Sequence, residues 1–376
     1  MELDFSSDQD MLRQSFTKFL KKETSLKQVK EWIDGEKGFP EHLWKEMGNL
    51  GWLGLHYDEK YGGSNLAFLD LFILIEEMGA SLLPGPFFTS AVLSGMLIAE
   101  SGNETLKEAL LPPLIQGDKI LATAFLNEQG KFAGDAPGIE AREGPEGNYR
   151  LNGVALLVPY AHVADHIICC AKVDGASDGG PTLFLTDANA ENIRLTPLDT
   201  ISIEKKFAVS FENAPAGRDN IIGDVGKGDV YLRTVLSKAG VLKCGEMVGG
   251  MRRVLDMTVE YAKERRQFGR PLGSFQIVQH YCADMSAHLE TSRLIACQAA
   301  SLISEGRACD KEVAMACAWC GQAYRKVTWL AHEIHGGIGF TEEYDLHLFY
   351  KHAKEAELLF GDARLNRSRV ADEMGL

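Results

Sequence analysis

The feature that most constrains the fold is a set of long apolar stripes in the last third of the chain. Apolar residues that recur every three or four positions mark the buried face of an α-helix. Further helical patterns cover residues 275–306 and 342–376. The pattern predicts four long helices in an antiparallel bundle over residues 229–376. One stripe consists of Val241, Cys244, Val248, Met251, Leu255 and Ala262, and a second of Val313, Cys317, Cys320, Tyr324, Val327 and Ala331.

Two regions with other sequence patterns precede these stripes. Short β-type runs occupy residues 120–125, 149–158, 166–171, 182–186 and 207–211, and turn-forming residues such as Asn152-Gly153 separate them. They predict a small β-domain, a barrel or a sandwich, over residues 118–228. Residues 1–117 have helical periodicity, with breaks at Tyr61-Gly62-Gly63 and Leu83-Pro84-Gly85-Pro86. We therefore expect an α+β fold of three parts: a helical domain, a β-domain and a four-helix bundle.

Composition narrows the class of protein. A chain of 376 residues is too long for one ordinary core. Its net charge of -14 argues against nucleic acid as a partner. No apolar run reaches the roughly 18 residues of a membrane span, and the acidic opening Met1-Glu2-Leu3-Asp4 does not have the pattern of a signal peptide. The eight scattered cysteines indicate reduced thiols and a cytoplasmic protein.

The pair Cys317-Ala318-Trp319-Cys320 has the spacing of a metal or redox motif. It lies inside a helical pattern, with neither a second pair nor a histidine beside it. The sequence favours core packing for these two cysteines, since a free cysteine behaves as a small buried hydrophobe.

A basic cluster ends the first long helix. Residues 264–276 hold Arg265, Arg266 and Arg270 beside Gly269, in a chain that is acidic overall. Guanidinium groups favour bidentate binding of phosphate, so the cluster is a candidate site for a small anion. Arginine also suits the negative end of a helix dipole, and a solvated helix end remains the alternative.

Three motifs carry a resemblance to a known family. Arg265-x-Gln267-Phe268-Gly269, followed by Phe275-Gln276, resembles the C-terminal signature of the acyl-CoA dehydrogenase family. Residues 336–341, Gly-Gly-Ile-Gly-Phe-Thr, resemble its second signature, and residues 51–63 with 76–79 match its N-terminal pattern. The resemblance covers nearly the whole chain in the family's order, although the middle third and the C-terminus depart from it.

The resemblance implies an oxidoreductase that dehydrogenates the α,β bond of an acyl-CoA thioester with FAD, in lipid or steroid catabolism. It implies an oligomer, because the family's flavin lies between subunits, and an electron-transfer flavoprotein as electron acceptor. By the same resemblance Arg265, Phe268 and Gln276 contact the adenosine side of a flavin, and Gly336 and Gly337 allow its close approach. Glu333 stands where the family usually has glutamine, and a carboxylate accepts but does not donate hydrogen bonds.

The elements that hold the flavin ring in the family are altered. Residues 126–135 read Leu-Asn-Glu-Gln-Gly-Lys-Phe-Ala-Gly-Asp where the family has Thr-Glu-Pro-Gly, and residues 155–159 contain neither tryptophan nor threonine. Phe360 occupies the position of the usual catalytic glutamate, and Ala239 occupies the position that a minority of members use. Asp362 is the nearest substitute base, with a helix N-cap as its alternative role.

Three hypotheses follow. The chain is the base-lacking subunit of a hetero-oligomer, in which it supplies the adenosine-side half of a shared flavin site. Alternatively, it is an active homo-oligomer that uses Asp362 as its base. The third hypothesis is a non-catalytic relative that binds flavin or acyl-CoA.

Overall fold

The computed structural model describes residues 5–131, 137–144, 147–174 and 179–376. The N-terminal part contains six α-helices in these ranges. They are α1 (Ser7–Glu23), α2 (Leu26–Asp34), α3 (Glu41–Asn49), α4 (Phe68–Ser81), α5 (Gly95–Glu100) and α6 (Glu104–Ile115). A π-helix, Phe87–Ser94, leads directly into α5. Capping boxes at Ser6 with Gln9 and at Ser25 with Gln28 explain where α1 and α2 begin.

The middle of the chain forms one mixed sheet. Its spatial order is β6-β7-β3-β2-β4-β5-β8, and β1 pairs with β4 off this path. Most pairings are antiparallel, but β1 and β2 each run parallel to β4. The strands are β1 (Leu121–Ala124), β2 (Ile139–Glu143), β3 (Tyr149–Pro159), β4 (His166–Val173), β5 (Thr182–Asp187), β6 (Ile193–Leu198), β7 (Lys206–Ala216) and β8 (Ile221–Ile222).

The C-terminal part is built on three long helices, α7 (Gly228–Glu264), α8 (Gln276–Ser304) and α9 (Asp310–His335). A hairpin of two short strands, β9 (Arg266–Gln267) and β10 (Arg270–Pro271), joins α7 to α8. Two shorter helices follow, α10 (Leu346–Leu359) and α11 (Ala363–Glu373). The predicted fourth helix over residues 342–376 is thus two helices, because the chain turns at Gly361, which has a φ of 91°.

The N-terminal and C-terminal helices share one hydrophobic core, whereas the sheet has a second core of its own. Helices α4 and α7 cross so closely that a Cβ added to Gly249 would lie 1.8 Å from the Glu76 carbonyl oxygen. Beside this crossing, Glu76 and Glu77 are buried, and Arg252 reaches both carboxylates at 3.1 and 2.8 Å. Buried charges of this kind are tolerated only when paired, so the crossing is fixed by packing and by ion pairs together.

The predicted three-part α+β architecture is confirmed, while several elements, among them α2, β2 and β6, were absent from the prediction. Helix α2 is short, and its first turn is set by the Ser25 cap rather than by a long apolar stripe. Strand β2 buries only alternate residues, and β6 is an edge strand without a fully buried residue. Strands of this kind carry too weak an apolar pattern to stand out in a sequence. The exact domain boundaries at 117 and 228 stay a prediction.

Candidate functional site

A small cavity lies where the three parts of the chain meet. We call it the inter-domain cavity. Its volume is about 40 Å³, well below the ~300–1,000 Å³ of a typical ligand pocket. The π-helix, the sheet, α7 and the end of α10 all contribute to its walls. The lining residues are Phe88, Thr89, Leu93, Thr123, Phe125, Leu126, Leu156, Leu157, Pro159, Glu204, Lys206, Leu236, Lys243, Leu359 and Phe360.

Apolar side chains form most of the cavity wall. The rings of Phe88 and Phe360 lie 5.8 Å apart, centroid to centroid. Leu126 forms an isolated antiparallel bridge with Leu156. Leu157 follows at a bulge of β3 with a φ of 55°, a region that a leucine rarely adopts. The two segments altered relative to the family therefore meet at this cavity, as far as residues 126–131 and 155–159 show. Residues 132–136 of the predicted flavin loop lie outside the described residues.

A buried lysine, Lys206, also lines this mostly apolar cavity. Lys206 forms salt bridges with Glu204 at 2.6 Å and Glu355 at 2.7 Å. Burial alone would lower the pKa of Lys206, but the two carboxylates outweigh it and raise this pKa above its ordinary value. The Ser202 hydroxyl donates to Glu355 at 2.6 Å. This group of contacts ties the start of β7 to α10, and α10 ends at the cavity.

A second chain of contacts begins at Lys243 of α7. Its ammonium group lies 4.0 Å from the centroid of the Phe88 ring and forms a salt bridge with Glu246. Glu246 also contacts His352 Nε2 at 3.0 Å, and His352 Nδ1 lies 3.2 Å from the Tyr324 hydroxyl. Burial raises the pKa of Glu246, but Lys243 and His352 outweigh this effect and bring it to about 2. Glu246 is thus held ionised away from the cavity, whose lining does not include it.

The positions considered for a catalytic base hold no carboxylate at the cavity. Phe360 lines it, and Ala239 is fully buried in the core of α7. Asp362 is exposed and caps α11, where its Oδ1 accepts from the Leu365 backbone N–H at 2.9 Å. Asp362 is not among the residues that line the cavity. The carboxylate that does line it is Glu204, which the sequence argument did not consider.

The basic cluster forms an exposed hairpin at the far end of α7. We call residues 265–276 the arginine hairpin. Its turn places Phe268 at a φ of 51° and Gly269 at a φ of 80°, and the Phe268 side chain is 91% exposed. Arg270 lies 4.0 Å above the Phe275 ring. In the described part of the chain, neither Arg265 nor Arg266 forms a salt bridge. Both guanidinium groups are therefore available to an anion.

The end of α9 forms a second exposed element. We call Gly336 and Gly337 the glycine turn. Gly336 has a φ of 64°, and a Cβ added to either glycine would have no described atom within 4 Å. Glu333 is exposed one turn earlier on α9. Gln276, the first residue of α8, is exposed as well. The sequence-predicted adenosine-side residues thus all lie on the surface, and each of the two glycines leaves open space beside the backbone.

Contacts between α7 and α9 show that the two elements share one end of the bundle. Cys244 contacts Cys317, and the Tyr261 ring stacks on the His335 ring at 4.3 Å. The residue numbers of the contacting pairs increase in the same direction along both helices, so α7 and α9 run parallel. Tyr261 lies one helical turn before the arginine hairpin, and His335 directly precedes the glycine turn. Stacking of these rings therefore fixes the two elements next to each other.

The inter-domain cavity lies elsewhere along α7. Lys243 lines the cavity, and Glu264 is the last residue of α7, next to the arginine hairpin. At 1.5 Å per residue these two positions are about 32 Å apart along the helix. The residues that sequence reasoning missed, Glu204, Lys206 and Lys243, are all at the cavity. A lysine in a mostly apolar helical stretch was the one signal that could have pointed to Lys243.

The described ranges contain no cluster of three or more histidine, cysteine, aspartate or glutamate side chains placed to hold a metal ion. Within the same ranges, no helix has both the length and the apolar character needed to cross a bilayer.

Comparison with known proteins identifies the family. The model of the acyl-CoA dehydrogenase N-terminal domain matches residues 6–118, and that of the C-terminal domain matches residues 226–375. A 3-(aryl)acrylate reductase of Clostridium sporogenes is 27% identical over 98% of this chain and 99% of its own.

Two solved structures have the same fold over nearly the whole chain. The Tcur3481-Tcur3483 steroid acyl-CoA dehydrogenase, solved as a variant, is 29% identical, with a TM-score of 0.87 and 98% of each chain covered. The ChsE4-ChsE5 complex from Mycobacterium tuberculosis is 26% identical, with a TM-score of 0.90, covering 100% of this chain and 99% of that one. The three motifs, the three-part architecture and these matches agree, and the chain belongs to the acyl-CoA dehydrogenase family.

Proposed function

We propose that this chain is a subunit of an FAD-dependent acyl-CoA dehydrogenase and supplies the adenosine-side half of a flavin site shared with a homologous subunit. The assembly performs α,β-dehydrogenation of an acyl-CoA thioester. The observation that carries this proposal is the contrast between an exposed, cationic end of α7 and a small cavity lined by the phenyl ring of Phe360 where the family has a carboxylate.

Separation along α7 supports a site completed by two subunits. The arginine hairpin lies about 32 Å from the cavity-lining part of α7 at the standard helical rise. One extended flavin dinucleotide is too short to touch both. An adenosine moiety at the hairpin of this chain therefore belongs to a flavin whose ring lies on another subunit.

The adenosine side has the chemistry for this role. Arg265 is exposed without a salt bridge to any described residue, so it can bind a pyrophosphate through charge-assisted hydrogen bonds. Gln276 presents an exposed amide at the start of α8, and Phe268 presents an exposed ring for stacking. Gly336 and Gly337 leave room for a ligand against the backbone. Glu333 accepts from a ribose hydroxyl in this arrangement.

The cavity side lacks what the reaction requires. When bound, the flavin accepts a hydride from the substrate, and a carboxylate must remove the α-proton. The cavity of about 40 Å³ has no room for a flavin ring and an acyl group. Phe360 places a phenyl ring where that carboxylate is needed. Glu204 is held by Lys206 at 2.6 Å in a structural ion pair.

The proposed partner is a homologous subunit with an intact base and flavin ring site, in a heterotetramer. The name ChsE4-ChsE5 complex, borne by one structure of the same fold, supports a hetero-oligomer, and the steroid acyl-CoA dehydrogenase supports lipid or steroid substrates. We further propose an electron-transfer flavoprotein as acceptor. The described cysteines are all free thiols, which supports the cytoplasm as compartment.

Two alternatives are less well supported. An active homo-oligomer with Asp362 as base would require Asp362 to leave the N-cap of α11, where it accepts a hydrogen bond from Leu365. The second alternative is a non-catalytic protein that binds flavin or acyl-CoA. It would have the same arginine hairpin but no partner subunit that completes the reaction.

Co-expression with the dehydrogenase-like chains of neighbouring reading frames tests the proposal. Gel filtration with light scattering measures the assembly, and absorbance in the visible range measures bound flavin. We expect flavin in a complex of two kinds of subunit and little flavin in this chain alone. A flavin-saturated homo-oligomer of this chain would contradict the shared site.

A further inference from the structure

Three cysteines lie where α7 packs against α9. Cys244 Sγ lies 3.9 Å from Cys317 Sγ, and these cysteines belong to different helices. Cys320 is almost one turn further along α9, where its thiol donates to the Ser292 carbonyl oxygen at 3.6 Å. Cys244 is buried and Cys317 is half-buried. Metal binding does not account for the group, because no metal-ligand cluster occurs among the described side chains.

We propose that Cys244 and Cys317 form a reversible disulfide under mild oxidation, which joins α7 covalently to α9. The helices approach closely at this point: a Cβ added to Gly240, one turn before Cys244, would lie 3.1 Å from Cys317 Sγ. The bond requires the two sulfurs to approach to about 2.05 Å. Side-chain rotation supplies much of this movement, since the sulfurs already face each other across the helix pair.

The two thiols are not equivalent. Cys244 donates a hydrogen bond to Cys317 Sγ, which lowers the pKa of Cys317 and raises the pKa of Cys244. Thiolate is the nucleophile in thiol oxidation, and reaction also requires access to solvent. Cys317 is both the more acidic and the more exposed of the two. It is therefore the thiol that an oxidant attacks first, and Cys244 is the resolving thiol.

Hydrogen peroxide serves as the oxidant. The Cys317 thiolate attacks one peroxide oxygen, the O–O bond breaks, and hydroxide leaves, which gives a sulfenic acid. Cys244 sulfur then attacks Cys317 sulfur and displaces hydroxide, which takes up the proton of Cys244 to form water. In sum, two thiols and one peroxide give one disulfide and two water molecules. A thiol reductant reverses the change by exchange through a mixed disulfide.

This cross-link is independent of the proposed function. It closes the loop that contains the arginine hairpin and all of α8, and it fixes the two helices that end at the hairpin and at the glycine turn. Cross-linking such a long loop restricts the unfolded chain. We expect the melting temperature to rise by roughly 5 °C after oxidation and to return after reduction.

The experiment treats the purified chain with one equivalent of hydrogen peroxide and measures the intact mass. We expect the loss of two hydrogen atoms. Trypsin should release a linked pair of peptides, residues 244–252 and 312–325, and reduction should separate them. Because the second peptide contains both Cys317 and Cys320, single variants must assign the bond.

Cys320→Ser is the matched control, since it keeps Cys244 and Cys317 and should retain both the linkage and the change in melting temperature. Cys317→Ser should abolish both, and circular dichroism verifies that it folds. Oxygen addition without hydrogen loss overturns the proposal, as does a linkage that persists in Cys317→Ser. If Cys317→Ser does not fold, alkylation of the native protein provides a second test. Unchanged labelling of Cys317 by iodoacetamide after peroxide treatment also overturns the proposal.

Discussion

The inter-domain cavity and the arginine hairpin lie on the same helix, α7, but they differ in the properties that decide ligand binding. At the cavity, Lys206 and Lys243 are buried and each is paired with a carboxylate. At the hairpin, Arg265 and Arg266 are exposed and form no salt bridge with the described residues. The cavity therefore has its charges satisfied inside the fold, whereas the hairpin has charges available for a ligand. We therefore call the cavity the closed side, because its charges are satisfied within the fold, and the hairpin the open side, because its charges are available to a ligand.

The two sides also differ in how backbone strain is used. At the cavity, Leu157 adopts a φ of 55° beside the bridge between Leu126 and Leu156. At the hairpin, Phe268 adopts a φ of 51° with its ring 91% exposed. Strained residues of this kind cluster at functional sites. In the first case the strained residue is a leucine of the cavity wall that is 41% exposed, and in the second it is an aromatic ring almost wholly in solvent.

The largest expected effect concerns turnover by the chain alone. Flavin reduction by acyl-CoA thioesters should be slower by about 10²–10⁴-fold than with the partner present, because a missing general base has that cost. By the resemblance, Phe360 and Ala239 stand at the two positions that family members use for the base. The measurement is stopped-flow flavin reduction with a panel of thioesters, first without and then with the partner.

Variants of the remaining carboxylates sharpen this test. Neither Asp362→Asn nor Glu204→Gln should change the residual rate, because the first residue caps α11 and the second is paired with Lys206. Rapid reduction by the chain alone, lost in one of these variants, would identify that residue as the base and remove the distinction between the two sides.

The second prediction concerns acid stability near the cavity. Glu246 has a pKa of about 2 in the folded chain against 4.5 without a partner. A lowered carboxylate pKa stabilises the fold above pH 4.5, and this contribution is lost as the pH falls toward 2. The difference corresponds to roughly 3 kcal/mol. Urea unfolding between pH 2 and pH 7 should show this loss in the wild type, and Glu246→Gln should remove that part of the pH dependence.

Glu260→Gln is the control, since Glu260 forms an exposed pair with Lys263 at 2.7 Å. Exposed pairs contribute little to stability, so the control should keep the acid transition of the wild type. If Glu246→Gln and the wild type have the same acid transition, the ion pairs of Glu246 do not contribute to the stability of the fold.

The sequence located the residues of the arginine hairpin more directly than those around the inter-domain cavity. The arginine hairpin and the glycine turn are contiguous motifs, so their residues could be named directly. Phe360 and Leu156 could also be placed, because the resemblance aligned them with known positions. The salt bridges of Lys206 could not be predicted: Glu355 is far along the chain, and only the tertiary fold brings α10 against β7. The same holds for Lys243, whose environment is set by Phe88 of the π-helix.

The elements of the fold also differ in how well the sequence predicted them. The apolar stripes predicted α7 and α9 because long amphipathic helices repeat the same pattern many times. The split between α10 and α11 lies at Gly361 and the Asp362 cap, and two adjacent residues are a weak signal in a long helical pattern. Strand β6 pairs only with β7 at the sheet edge, so its side chains are not selected for burial.

The third prediction tests the open side. Arg265→Ala should weaken flavin binding more than tenfold, because a hydrogen bond to a charged group contributes about 1.5–3 kcal/mol. Flavin content is measured in whichever assembly carries flavin, by absorbance after desalting. Arg266→Ala is the control: it removes an exposed arginine from the same hairpin, and it should leave the flavin content close to that of the wild type. Equal flavin content in Arg265→Ala and the wild type would contradict the assignment.

The smallest effect is expected at the glycine turn, where the two glycines can be separated by their backbone. Gly337→Ala should leave the unfolding free energy of the chain alone within about 0.5 kcal/mol, because the added Cβ meets no described atom within 4 Å. Gly336→Ala should cost about 1–2 kcal/mol, because Gly336 has a φ of 64° and alanine is strained there. If a flavin approaches the backbone here, Gly337→Ala should still weaken its binding by roughly 1–3 kcal/mol through overpacking. Unfolding of the chain alone and flavin content of the complex together decide the point. A Gly337→Ala variant that binds flavin normally would remove the glycine turn from the open side and leave the arginine hairpin as its only part.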